Sequence, residues 1–324
     1  MIPPPTTRQT ESIRGVRLRY RTGSQTHGAR SVGVPRWARA MAETGSEGAV
    51  SPERRRDGPA FCEALHGAHA SLLSVVLPGA RALSAPGLRE ATRRAYGLHR
   101  ELIGPRRFPV RVWNFIPGIT QPVRDAGESL DRYMAFNLGR HDAVSEWFGG
   151  RLAECLPAAT GVGHEGDALH VHVLAMDEPP TPVENPRQRP AYGYSPRYGP
   201  RPPCFARASL VGRGPDRTLI VAGTASILGE ESLHEGSLPD QLDETLANLR
   251  ALIGSVHDGP EDPIARLEEV RAYSPEPSHD GAIRAGLLRA TGGREVELVR
   301  ADLCRAELLV EVEGVVRVGE GFGA

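Results

Sequence analysis

The chain has 324 residues and no lysine; all 39 basic residues are arginine. A Walker phosphate loop needs a lysine, and so do Schiff-base catalysis and pyridoxal-phosphate attachment, so these chemistries are excluded. Cysteine is sparse: Cys62, Cys155, Cys204 and Cys304 form no Cys-x-x-Cys pair. That spacing excludes a zinc ribbon and a thioredoxin motif and suits reduced thiols. Aromatic residues make up only 5% of the chain. No apolar run approaches the ~18 residues of a membrane helix, and the N-terminal region has no signal-peptide core. The 39 basic and 40 acidic side chains nearly cancel, so there is no global basic field for nucleic acid. A cytoplasmic protein that binds neither membrane nor nucleic acid is expected.

Residues 1–57 differ from the rest. Eight arginines precede Met41 against a single acid, Glu11, and Arg54–Arg56 close the stretch. Such polar sequence buries too little apolar surface to order itself. A disordered tail is expected, with Met41 as an alternative beginning. Beyond it, Leu88, Ala91, Ala95, Leu98 and Leu102 recur at helical spacing over Pro86–Leu102. Helices are also predicted over Asp125–Phe148, Gln241–Val256 and Ser278–Thr291. Strands are predicted over Val110–Ile116, Leu169–Met176, Phe205–Val211, Thr218–Ala225, Glu268–Ser274, Glu295–Val299 and Leu308–Val318. Pro179–Pro203 holds nine prolines and reads as a loop. The order predicts an α+β fold of two units, 58–180 and 181–324, each a mixed sheet backed by helices.

Several motifs carry chemistry. Gly161-x-Gly163-x-x-Gly166 matches a dinucleotide fingerprint but precedes a strand where a helix is required, so it reads as a loop entering a strand. His164, His170 and His172 lack a completing ligand set and read as strand histidines. Gly223-Thr224-Ala225 follows an apolar strand, where small residues let a ligand approach the backbone. Arg207 lies in a strand pattern, where an inward guanidinium needs an anion; an ion pair is the competing explanation. Glu307, Glu311 and Glu313 fit a solvated strand edge. Alternatively, one carboxyl held among Leu309, Val310 and Val312 would be protonated near neutral pH and able to act as a general acid.

The run Val112-Trp113-Asn114-Phe115-Ile116-Pro117-Gly118 and the pattern Tyr133-x-x-Phe136-Asn137-x-Gly139-Arg140 resemble chorismatases of actinobacterial polyketide pathways. Glu184-Asn185-Pro186-Arg187-Gln188, Pro190-Ala191-Tyr192, Tyr198-Gly199-Pro200, Phe205-Ala206-Arg207-Ala208, Gly223-Thr224-Ala225-Ser226-Ile227 and Cys304-Arg305 continue it in order through Glu311. The similarity spans about residues 108–315.

That resemblance implies two tandem YjgF/RidA-like (chorismate-mutase-like) domains. It implies chorismate as the small-molecule substrate, release of pyruvate, no cofactor and no metal, in a monomer or homotrimer. Glu311 is then the proton donor to the enolpyruvyl methylene. Arg207, Arg284, Tyr192, Tyr198 and Arg140 are candidates for the substrate carboxylates, and Gly223, Thr224 and Ala225 for the wall. Cys304 implies 3-hydroxybenzoate as the product, because alanine at this position accompanies the hydrolytic dihydroxycyclohexadiene carboxylate. Cys304 and Glu311 are seven apart, so a regular strand would place them on opposite faces; a bulge or loop must intervene if both line one pocket. A RidA-like enamine/imine deaminase built on Arg207 and a non-catalytic aromatic-acid sensor are the alternatives.

Overall fold

The computed structural model describes residues 33–45, 50–125, 128–214, 217–257 and 259–318. The first half runs α1 (Arg36–Glu43), β1 (Glu53–Asp57), β2 (Ala60–His66), β3 (Ala70–Leu77), α2 (Ala85–Ile103) and β4 (Phe108–Pro117). A hairpin, β5 (Pro122–Asp125) and β6 (Glu128–Asp131), leads into α3 (Arg132–Phe148) and α4 (Leu152–Cys155). β7 (Ala158–His164) and β8 (Leu169–Met176) close this half. The second half runs β9 (Thr181–Val183), β10 (Ala208–Val211), β11 (Arg217–Ala225) and a small hairpin, β12 (Ile227–Leu228) and β13 (Glu231–Ser232). It finishes with α5 (Leu238–Gly254), β14 (Leu267–Ser274), α6 (Asp280–Ala290), β15 (Val296–Arg300) and β16 (Glu311–Val318).

Two six-stranded mixed sheets result, ordered β1-β2-β3-β8-β4-β7 and β9-β10-β11-β16-β14-β15. The orders superimpose strand for strand. In each, one parallel pair, β4 with β7 and β14 with β15, sits at the edge of an otherwise antiparallel sheet. α2 and α3 occupy the same places in the first half as α5 and α6 in the second, so the fold is one unit used twice.

Three apolar clusters hold it. One lies between the first sheet and α2 and α3, around Leu73, Leu88 and Phe136. Another lies between the second sheet and α5 and α6, around Leu249, Val312 and Leu287. The third joins the inner faces of both sheets, with Trp113, Phe115 and Val162 against Ile220, Tyr273 and Val315. Strand alternation explains the division. Val312 and Val316 face the helices, whereas Val315 faces the other sheet.

The structure corrects the expectation of a disordered tail over 1–57 only where it describes that stretch, at 33–45 and 50–57. Residues 1–32 and 46–49 lie outside the described residues. The rest forms α1 and β1, and Trp37, Ala38 and Ala42 are buried. The Trp37 ring packs 5.5 Å from that of Trp113, and Arg271 Nη1 donates to the Gly33 carbonyl at 2.8 Å. An apolar stripe on one short arginine-rich helix supplies the burial that average composition conceals. A chain beginning at Met41 would lack Trp37 and Ala38.

Three local readings also change. Asp125 and Glu128–Leu130 belong to the strands β5 and β6 before α3, which begins after the cap Asp131, whose carboxylate accepts from Met134 N at 2.7 Å. Gly161 and Gly163 lie inside β7, where a side chain on Gly163 would meet Ile119 and Asp302. Residues 301–310 are not strand.

Candidate active site

The two sheets are pinned by a buried polar network. Glu313 on β16 is fully buried. Its Oε2 accepts from Arg111 Nη2 at 2.6 Å and from Thr160 Oγ1 at 2.7 Å, and its Oε1 from Trp113 Nε1 at 3.0 Å. Thr160 Oγ1 in turn accepts from Gly223 N at 3.0 Å. A buried carboxyl needs partners for its oxygens, and this one has a guanidinium and two neutral donors.

Glu311 lies two residues back along β16, on the same face, and is 4% exposed. Burial comes first in pushing its carboxyl up to about 8; the Glu313 charge adds to this, while Arg111 and Arg207 oppose it. At neutral pH it is therefore mostly protonated. The space for it comes from β11. Opposite Glu313, the register slips between Val221 and Thr224, a bulge that brings Gly223 against Glu311. A β-carbon on residue 223 would overlap Oε1 of Glu311.

Cys304 reaches the same place from a loop. Leu309 N donates to Gln241 Oε1, and Gln241 Nε2 donates to the Glu307 carbonyl, each at 2.8 Å. One glutamine on α5 thus satisfies backbone that a strand partner would otherwise pair. Gly163 N donates to the Asp302 carbonyl at 2.7 Å, tying the loop to β7. The loop removes the opposite-face constraint that a regular strand would impose on Cys304 and Glu311. Burial, reinforced by the Glu311 charge, pushes the Cys304 thiol up to about 12, so it is an uncharged wall group and not a thiolate.

Glu311 and Cys304 line one cavity with Arg140, Arg207, Tyr198, Gly223 and Ala225. About 740 Å³ of non-atom space lies within and at the mouth of this lining, open solvent included. The Arg207 guanidinium is buried. Its Nη2 donates to Tyr194 Oη at 2.6 Å and to the Arg189 carbonyl at 3.0 Å. Three further expectations part from this site. Arg284 is exposed on α6, in the outer helix layer, where its Nη1 donates to the Val296 carbonyl. Tyr192 packs against the first core. Thr224 is buried and donates to the Ala222 carbonyl, with Gly223 and Ala225 on its two sides supplying the wall.

The cavity also contains groups that sequence reasoning missed: Tyr133, Tyr194, Phe205, Asp131 and Arg305. The Arg305 guanidinium lies 3.9 Å above the Tyr198 ring. Tyr133 reads as an apolar position of α3, yet its ring reaches the cavity, where burial raises its hydroxyl pKa and the Arg140 charge opposes this. The histidines stay outside. His170 and His172 stack at 6.2 Å, and His172 Nδ1 meets Ser74 Oγ at 2.7 Å.

A solved chorismatase structure superposes on this one with a TM-score of 0.68 and 28% sequence identity, covering 82% of this chain and 79% of that one. Residues 63–175 match the family described as chorismatase FkbO/Hyg5-like, N-terminal. A 3-hydroxybenzoate synthase of Streptomyces hygroscopicus is 37% identical over 246 residues, 70% of this chain and 69% of that protein. A chorismatase of the same organism is 34% identical over 215 residues, 64% of this chain and 60% of that protein. The chain belongs to the chorismatase family.

Proposed function

We propose that the protein converts chorismate to 3-hydroxybenzoate and pyruvate. One observation carries this reading: a carboxyl kept protonated by burial, Glu311, faces an arginine-lined cavity. Protonating the methylene carbon of an enolpyruvyl ether calls for an acid still protonated near neutral pH. Glu311 gives its proton to that carbon, leaving an oxocarbenium ion and a carboxylate near Arg111 and Arg207. The neighbouring ring hydroxyl then attacks the ring carbon that carries the ether oxygen; the bond between them breaks, its electron pair completes the keto group of the departing pyruvate, and the protonated epoxide left on the ring opens at the carbon that first carried the hydroxyl. Loss of a ring proton on aromatisation restores the acid, and the two products together contain the atoms of the substrate.

The substrate carries two carboxylates, and both Arg207 and Arg305 line the cavity, each 5.6 Å from the Tyr194 ring. Arg207 Nη1 makes no hydrogen bond among the described residues, which leaves it available to a carboxylate. Arg305 is held over the Tyr198 ring and by Ser232 Oγ, to which its Nη1 donates at 2.9 Å, and this anchoring limits the freedom lost on binding. Cys304 fills the wall beside Glu311 with an uncharged thiol. This supports attack by the internal hydroxyl over attack by water, and so the aromatic product. Incubation of purified protein with chorismate, followed by chromatography, tests the reading. 3-Hydroxybenzoate and pyruvate in equal amounts are expected. Pyruvate with dihydroxycyclohexadiene carboxylate would overturn the product, and absence of pyruvate would overturn the activity.

A further inference from the structure

Glu184 is a half-buried acid that the chemistry above leaves unused. It is the residue after β9, and both of its carboxyl oxygens are buried without a hydrogen bond. In the ladder Val183 pairs with Ala208, so the next residues outward, Glu184 and Arg207, stand opposite each other. Nε of Arg207 is likewise buried without a hydrogen bond. Tyr192 lies within reach of the same charge: burial raises its hydroxyl and the Glu184 charge adds to this. A carboxyl and a guanidinium on adjoining strands thus each keep buried hydrogen-bonding capacity unspent, and Arg207 alone of the two lines the cavity.

We propose that Glu184 is a positioning residue that competes with the substrate carboxylate for Arg207, so that binding of the dianion is accompanied by protonation of Glu184. In the empty site the two side chains form no hydrogen bond, and the Arg207 charge favours the Glu184 carboxylate only through space. When a substrate carboxylate takes Arg207, a buried anion beside it loses its compensating charge, and taking up a proton is the inexpensive response. The direction agrees with the free protein, where burial raises Glu184 to about 7 against the pull of Arg207. The proton is supplied by solvent and remains on Glu184 until the product leaves. This role rests on the proposed binding of a substrate carboxylate by Arg207.

The test uses the full chain carrying Glu311→Gln, which removes turnover and the other raised acid, and measures chorismate binding by calorimetry. About half a proton should be taken up per chorismate at pH 7, and affinity should weaken about tenfold from pH 6 to pH 8. Adding Glu184→Gln should abolish both effects. In the otherwise native protein, Glu184→Gln should flatten KM across this pH range while leaving kcat within about twofold. Proton-neutral, pH-independent binding by the Glu311→Gln protein would overturn the role of Glu184, and needs no Glu184 variant to fold. Because native turnover of chorismate is assayed separately, that result would leave the proposed activity standing. Absence of native turnover would remove both.

Discussion

Gly223 and Glu311 occupy one another's space: the only side chain that leaves the Glu311 carboxyl where it is, is none. The glycine stands in the bulge of β11, and its N–H is tied to Thr160, which also binds Glu313. One backbone irregularity therefore places the acid, and a buried ion pair fixes the irregularity.

Gly223→Ala should consequently act on chemistry more than on folding. The obstacle to a β-carbon is the end of a flexible side chain, which can swing aside. A melting temperature within a few degrees of native is expected, with kcat reduced at least tenfold. Thermal melting and pyruvate release measured on the same preparation check this.

The pH dependence follows from a raised acid. Activity that requires protonated Glu311 should be level below pH 7 and fall tenfold per unit above about pH 8. Stability carries the same sign. Between the ordinary carboxyl value of 4.5 and about 8, the folded state holds more protons than the unfolded one, so stability decreases with pH over that window. Denaturant titrations at pH 5 and pH 8.5 should differ by a few kcal/mol (order of magnitude), and Glu311→Gln should remove most of the difference.

The network between the sheets predicts a strong asymmetry. Arg111→Met leaves Glu313 buried without its cation and should cost about 3–5 kcal/mol. Arg111→Met combined with Glu313→Leu should cost less than the sum of the two single changes. Urea unfolding of the three variants measures the coupling.

Trp37 tests whether the N-terminal segment belongs to the core. Trp37→Ala should destabilise by about 3–5 kcal/mol, because the ring is 3% exposed and packs on Trp113. A loss under 0.5 kcal/mol would mean that the segment merely rests on the surface.

Periodic apolar patterns made the regular elements legible. Leu169–Met176 is a strand with the bounds its alternation predicts. Leu242, Leu246, Leu249 and Ile253 form the buried stripe of α5. Arg207 was legible because a charge in an apolar strand pattern needs an explanation, although it stands one residue before β10 and not within it. The path of 301–310 was not, because Leu308–Val310 is as apolar as any strand, and the side chain of Gln241, distant in sequence, satisfies its backbone. Arg305 was hidden beside Cys304 because a loop arginine carries no periodicity to show where it points. Arg284 illustrates the reverse case: an arginine on the exposed face of an amphipathic helix is the ordinary arrangement, and the structure shows one.

Pyruvate release from chorismate by the native and Glu311→Gln proteins, side by side at pH 7, addresses the central claim most directly. The expected result is release by the native protein and at least a thousandfold loss in the variant, with chorismate binding retained. A variant that releases pyruvate at the native rate would contradict the claim that this buried carboxyl supplies the proton.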